Sequence, residues 1–273
     1  MTTISKTMQA AMAARAHAHT TGLLQDEWAA KLIAICPEGK SARAVFDEAS
    51  TGLLSHNIVI RSKFFEQTLR KWQGWCANLV CISGGMDLHL LSMPEASSLN
   101  KYFLDLPNSL GLLRNSVAEI GGDLAALGIQ FDEIDLNHLD EKLGAPCWLS
   151  DKENTLVLWE GASYYVEPSA IQSLLMYIGS SAKSIKLCFD CLSADGYLVD
   201  GKPINEGVAR NLSFIEKMGE PWLGFVSPAQ LSRWAEEAGF ASITISDRAW
   251  IEAELTGVAK LAKGQMMFVC LEK

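Results

Sequence analysis

The stretch that most constrains this chain is residues 78–107, NLVCISGGMDLHLLSMPEASSLNKYFLDLP. Leu79, Val80, Cys81 and Ile82 form a short apolar run, the pattern of a strand buried on both faces. Ser83-Gly84-Gly85 interrupts that run. Paired glycines permit a tight turn and let a ligand approach the backbone where a Cβ would collide. A second apolar run at residues 102–104 ends on Asp105. An acid about 20 residues beyond a glycine turn, at the tip of the next strand, can accept hydrogen bonds from ribose hydroxyls. The glycines do not spell GxGxxG, and the same residues also suit an ordinary βαβ turn. Both readings stay open on this stretch alone.

The rest of the chain sets limits. Its 273 residues allow one large domain, or one domain with an appendage. Apolar residues make up 49% and charged residues 20%, enough to bury a sizeable core. The net charge of −9 argues against nucleic acid and anionic membranes as partners, since both need a basic surface. No apolar run is long enough for a membrane span. The alanine-rich N-terminal text is interrupted by Arg15, His17 and His19, unlike a signal peptide. Seven cysteines, an odd number in a large chain, read as reduced thiols of a cytoplasmic protein. Cys188 and Cys191 form a single C-x-x-C with no second pair, which favours core thiols over a zinc site.

In chain order, residues 4–36 read as helix, a cap or lid ahead of the first strand, and residues 37–40 as a turn. Residues 41–54 form a short amphipathic piece. Residues 56–75 carry Phe64, Phe65, Leu69 and Trp72 on one helical face, with Arg61 just before it. An Arg there is either solvated or a bidentate clamp for a ligand carboxylate. Beyond residue 107 comes a helix stopped by Gly121-Gly122, then a possible strand at 128–131 and the acidic Asp135-Leu136. Residues 155–159 are the next buried strand, with Glu160 at its C-terminal end, where open α/β sheets bind ligands. Tyr164 and Tyr165 follow as pocket-wall candidates. A helix at 168–178 and a strand at 184–192 come next. Residues 195–225 look like a lid insertion holding Trp222 and Phe225. Ser227-Pro228 opens a helix to residue 238, and strands at 240–246 and 265–271 close the chain. The alternation predicts a mainly parallel sheet covered on both faces, with an antiparallel element at one end.

With these residues in order, the chain resembles the leucine carboxyl methyltransferase family of class I S-adenosylmethionine methyltransferases, over residues 15–273. Seven motifs carry the likeness. They are Arg15-Ala16 with Leu23-Leu24, Asp26 and Ala29; Arg61 in IVIRSKFF; the loop ISGGMDLH for the family's LGAGLDTR; FLDLP at 103–107 for EVDLP; Asp135-Leu136; EGASYYV at 160–166 for EGVLMYL; and Gly219-Glu220-Pro221. The resemblance implies a Rossmann-like α/β fold with a seven-stranded sheet. It also implies an N-terminal helical cap over residues 1–55 and a methyltransferase domain over residues 56–273. By the same resemblance, Arg61 binds the carboxylate of S-adenosylmethionine, Ser83, Gly84 and Gly85 pass its methionine part, and Asp105 with Leu106 takes the ribose. Asp135 and Leu136 take the adenine, and Glu160 lies near the methionine amino group. The chain departs from the pattern at Ser83, where the family has glycine, at His89, where it has Arg, and at Phe103, where it has Glu.

The expected chemistry is transfer of the methyl group to a carboxylate or hydroxyl oxygen of a small, polyketide-like acceptor. Tyr164, Tyr165, Trp222 and Phe225 would wall the acceptor. A hydroxyl acceptor needs a base within reach, for which His89 and Tyr164 are the candidates. The alternatives are a non-methylating cyclase or isomerase, or a binding protein, on the same fold. A homodimer is compatible with the sequence, and no metal is expected.

Overall fold

The computed structural model describes residues 4–36, 38–139, 148–149, 153–181 and 184–273. Four helices come first: α1 (Lys6–Thr20), α2 (Glu27–Leu32), α3 (Glu38–Ala49) and α4 (Leu53–Trp72). Ser5 caps α1 by accepting from Met8 N, and Asp26 caps α2 by accepting from Ala29 N. Instead of a turn through residue 40, helix α3 starts at Glu38, whose charge suits a helix N-terminus. Pro37 lies outside the described residues. Met12, Ala16, Ala29 and Leu32 from the first two helices share one apolar cluster with Phe65 and Leu69 of α4. Burying each of the Met, Leu and Phe side chains among them contributes about 1.5–3 kcal/mol.

The sheet contains β1 (Asn78–Ile82), β2 (Asn100–Asp105), β3 (Ile129–Glu133), β4 (Thr155–Trp159), β5 (Ile185–Ser193), β6 (Ser242–Asp247) and β7 (Met266–Glu272). Their spatial order is β3-β2-β1-β4-β5-β7-β6. Strands β1 to β5 are parallel, while β7 runs antiparallel to both β5 and β6. A two-residue strand, Phe225–Val226, adds to the end of β5. Every residue of β1, β4 and β5 is buried, as expected for strands covered on both sides.

Five longer helices complete the layers: α5 (Pro107–Glu119), α6 (Pro168–Ser181), α7 (Glu206–Lys217), α8 (Pro228–Glu237) and α9 (Arg248–Thr256). Alternate strand residues face opposite layers. Val80, Val157 and Leu187 pack with Ile171 and Leu174 of α6 and Leu231 of α8. Leu79, Leu156 and Leu158 pack with Phe65 and Leu69 of α4 and Leu113 of α5. Cys188 and Cys191, three apart on β5, fall in opposite layers and cannot share one ion. Between β5 and β6 the chain forms a short helix (Ala194–Tyr197), a small hairpin and α7.

Candidate active site

A cavity of about 910 Å³ opens beyond the C-terminal ends of β1, β4 and β5, the edge where parallel sheets bind ligands. Its floor is the loop Ser83, Gly84, Gly85 and the turn Glu160, Gly161, Ala162. Its walls come from α1, α3, α4, α7 and the segment 219–223.

The loop forms as the glycine text predicts, although one position is not glycine. Ser83 adopts φ +52°, a left-handed conformation that costs an L-residue about 1–2 kcal/mol. Gly85 has φ +59°, and a Cβ there would sit 2.8 Å from Met8 of α1. Phe103, buried on β2, packs under Gly84, 2.9 Å from where its Cβ would be. The aromatic ring thus occupies the space beneath the loop.

Arg61 lies mid-α4 and pairs with Glu160, Nε to Oε1 at 3.0 Å, while Ser62 Oγ donates to the same oxygen at 3.0 Å. Gly161 has φ +71°, and a Cβ on it would stand 2.5–2.7 Å from the Arg61 guanidinium. A side chain there would strain the backbone and push the guanidinium aside. Among the described residues, Nη1 and Nη2 of Arg61 make no hydrogen bond, so the two-pronged edge of the guanidinium is open. Burial opposes the Arg61 charge, but Glu160 and Asp190 outweigh it and raise its pKa. Glu160 is raised from its ordinary value, because burial outweighs the pull of Arg61. Arg15 of α1 binds Asp26 through Nε and Asp87 of the loop through Nη1, each at 2.9 Å. Glu220 accepts from Lys6 N at 2.8 Å and from the Thr7 hydroxyl, which fastens the start of α1 across the cavity.

Not all of the expected residues meet here. Arg61, Ser83, Gly84, Gly85, Glu160, Tyr164, Tyr165 and Trp222 line the cavity. Asp105, Leu106, Asp135, Leu136, His89 and Phe225 do not. Asp105 ends β2 behind Gly85, accepting from Gly85 N at 2.8 Å and Leu106 N at 2.7 Å. Burial raises its pKa despite these bonds. Asp135 faces outward and pairs with His138 at 2.9 Å. Leu136 is buried, whereas Leu106 is exposed. His89 points into the protein, with Nε2 2.7 Å from Glu66 of α4. Phe225 stands behind Tyr197, their ring centroids 5.5 Å apart.

A buried network that the sequence did not reveal lies under the turn. Asp190 on β5 accepts from Gly161 N at 2.6 Å through Oδ1, and through Oδ2 from Tyr164 and from Arg248 Nη2. Arg248 also donates to the Tyr164 hydroxyl at 2.7 Å and to Asn57 Oδ1 at 2.8 Å. Asp190 and Arg248 are sealed from solvent. The Tyr164 hydroxyl therefore has both a donor and an acceptor, and burial pushes its pKa up. No signal short of the fold joins these residues, which stand 58 and 84 positions apart.

A mainly parallel sheet of this strand order, with one antiparallel strand near its edge, a glycine loop and a cavity at its C-terminal edge, defines a class I methyltransferase fold. The family model for leucine carboxyl methyltransferase matches residues 6–179, more than half of the chain, and the chain belongs to that family. A candidate methyltransferase from Thermobifida fusca is similar in structure, at 13% identity and TM-score 0.58, over 85% of this chain and 88% of that one. An O-methyltransferase family protein from Burkholderia thailandensis is similar at 12% identity and TM-score 0.50, over 86% of this chain. This chain spans 62% of that protein's length. A phosphoethanolamine N-methyltransferase from Haemonchus contortus, solved with S-adenosylhomocysteine, has 12% identity and TM-score 0.50, over 76% and 52% of the two chains. At these identities the likeness is one of fold. No curated protein matches the sequence.

The family's cofactor is S-adenosylmethionine, and the residues present fit it. The open edge of Arg61 suits a carboxylate. Gly161 makes room for the Arg61 guanidinium, and Asp105 supplies a buried carboxylate at the tip of β2. No described helix is long and apolar enough to cross a membrane.

Proposed function

We propose that this protein moves a methyl group from S-adenosylmethionine to a carboxylate oxygen of a bulky, largely apolar small molecule. The observation that carries this reading is the state of the acids around the cavity. Asp87 is held by Arg15 and by His89 N, and Glu220 by the first residues of α1. Glu160 is held by Arg61 and Ser62. No histidine lines the cavity among the described residues, and Tyr164 is committed to Asp190 and Arg248. A hydroxyl acceptor needs a base within hydrogen-bond reach. A carboxylate is already anionic near neutral pH and needs none. Neither His89 nor Tyr164 is then required as a base.

S-adenosylmethionine would supply an activated methyl on a sulfonium. The work left to the chain is binding, alignment and exclusion of water. Arg61 would hold the methionine carboxylate and Glu160 its ammonium group. Asp105 would take the ribose, and the segment around Asp135 and Leu136 the adenine. Tyr165, Trp222, Phe46 and Phe214 offer flat apolar surface to the acceptor. A cavity of this volume suits a drug-sized molecule.

A second reading is kept alive by Asp105, which lies behind Gly85 outside the cavity. On that reading the fold no longer binds the cofactor productively. Calorimetric titration with S-adenosylmethionine and S-adenosylhomocysteine separates the two. Micromolar binding of either, followed by transfer of labelled methyl to aromatic carboxylic acids as alkali-labile esters, is expected. Binding of neither ligand would overturn methyl transfer. Alkali-stable labelling of phenols or alcohols would overturn the carboxylate assignment.

A further inference from the structure

On the reading that Arg61 serves the cofactor, we propose that the Asp190–Arg248 pair is a positioning device. One buried carboxylate sets both the Arg61 guanidinium on the cofactor side and Tyr164 on the acceptor side. Both residues lie beyond the stretch that matches the family model.

The pair is a poor choice for stability alone. Burying two charges removes both from water, and apolar residues of similar volume often do as well or better. Asp190 and Arg248 are 0% and 1% exposed, so that cost is fully present. Their geometry gives them other work. Asp190 Oδ1 takes the N–H of Gly161 and so fixes the peptide that joins Glu160 to Gly161. The orientation of that peptide decides two things. It aims the Glu160 carboxylate at Arg61 Nε, and it presents the bare face of Gly161 on which the guanidinium rests. Through Oδ2 the same carboxylate holds Tyr164, whose ring lines the acceptor part of the cavity. Arg248 completes the circuit. Its Nη1 grips Asn57, one helical turn before Arg61 on α4, so the helix and the turn answer to a single charge pair. Asp190 cannot itself touch an acceptor, because it is sealed from solvent beneath the turn with both carboxylate oxygens engaged.

The test uses the double variant Asp190→Leu/Arg248→Met, which removes both charges together, so that neither is buried alone, and also removes the acceptor of the Gly161 N–H. In ligand-free protein labelled with ¹⁵N at arginine side chains, hydrogen exchange is read at Arg61 Nε–H. Arg15 Nε–H, bonded to Asp26, serves as the internal control. Exchange at Arg61 is expected to accelerate roughly tenfold while Arg15 is unchanged, the size expected when one coupled contact is lost. No change at either site, or equal acceleration at both, would overturn the proposal, because a merely structural role moves the two together.

Calorimetry with S-adenosylhomocysteine provides the second arm. The affinity lost on Arg61→Ala should be smaller in the double-variant background than in the wild type, and strictly additive losses would overturn the coupling. If the wild type binds no S-adenosylhomocysteine, the proposed function falls, while the exchange measurement still decides the positioning role. If the double variant does not fold, Asp190→Glu takes its place. It keeps the charge but displaces the carboxylate by one methylene, and the same two signals are read with the same outcomes.

Discussion

At one end of the glycine loop Arg61, Glu160 and Gly161 face an open cavity. At the other, Asp105 sits behind Gly85 with both carboxylate oxygens accepting backbone N–H groups. The first end is a charge pair with spare donors. The second is a buried acid with no cationic partner among the described residues. Opposite charge outweighs burial at Arg61, whereas desolvation dominates at Asp105, as it does at Glu160, and raises its pKa without a cation to answer it. Such an acid gains from new donors, and a carboxylate bonded to Gly85 N, Leu106 N and the Ser109 side chain still has lone-pair capacity for another. On the proposed function, the methionine end of the cofactor site is set in advance while the ribose end waits for its ligand.

Arg61→Ala tests the prepared end and should have the largest effect. Removing one member of a buried ion pair leaves Glu160 uncompensated and should cost about 3–5 kcal/mol of stability in urea unfolding. Adding Glu160→Gln should recover most of that loss. A cost near zero would mean that solvent, rather than Arg61, balances the Glu160 charge. Asp105→Ala tests the waiting end. It should weaken S-adenosylhomocysteine binding by roughly 1–3 kcal/mol, the loss expected when hydrogen-bonding partners go unpaired. Unchanged affinity in calorimetry would take Asp105 out of the site. Ser83→Gly acts on the hinge between the two ends. Relief of the left-handed strain, offset by the greater freedom of glycine in the unfolded chain, should leave a gain of about 0.5–1 kcal/mol. A loss of stability would show that the Ser83 side chain supports its own turn.

The prepared end was also the legible one. Strands β1 and β4 are short apolar runs buried on both faces, and each ends on the residues that line the cavity, so local pattern located them. Arg61 stands out because an arginine just before an apolar helical face, ahead of the first strand, suits a carboxylate clamp. Asp190 and Arg248 gave no such signal. Asp190 is one polar letter inside an apolar strand, and Arg248 joins it only because β7 inserts antiparallel between β5 and β6. His89 misled for a related reason. Its place at the end of a glycine loop suggested chemistry, but side-chain direction depends on where α4 lies, and α4 offers Glu66 on the side away from the cavity. The turn read at residues 37–40 weighted proline and glycine over the helix that starts at Glu38.

The smallest expected effect concerns that same His89. Burial pulls its pKa down, but the hydrogen bond to Glu66 and the charges of Asp26, Asp87 and Glu66 outweigh it and leave it above 6.5. The folded protein therefore binds this proton more tightly than the unfolded chain. The stabilisation is fully present below pH 6.5 and is lost as pH rises through the folded-state value. Glu66 shifts the opposite way. Burial raises it, but His89 and Arg70 outweigh burial and take it below 4.5. Its share is present above pH 4.5 and is lost as pH falls through its folded-state value. Urea unfolding of the wild type from about pH 5 to about pH 9 should show stability declining on the alkaline side. His89→Asn should flatten that limb while leaving the pH profile of methyl transfer unchanged in shape, because the ring does not reach the cavity. Parallel stability curves for the two proteins would mean that His89 is neutral in the fold. A changed catalytic profile would return it to the list of bases and break the division between the two ends of the loop.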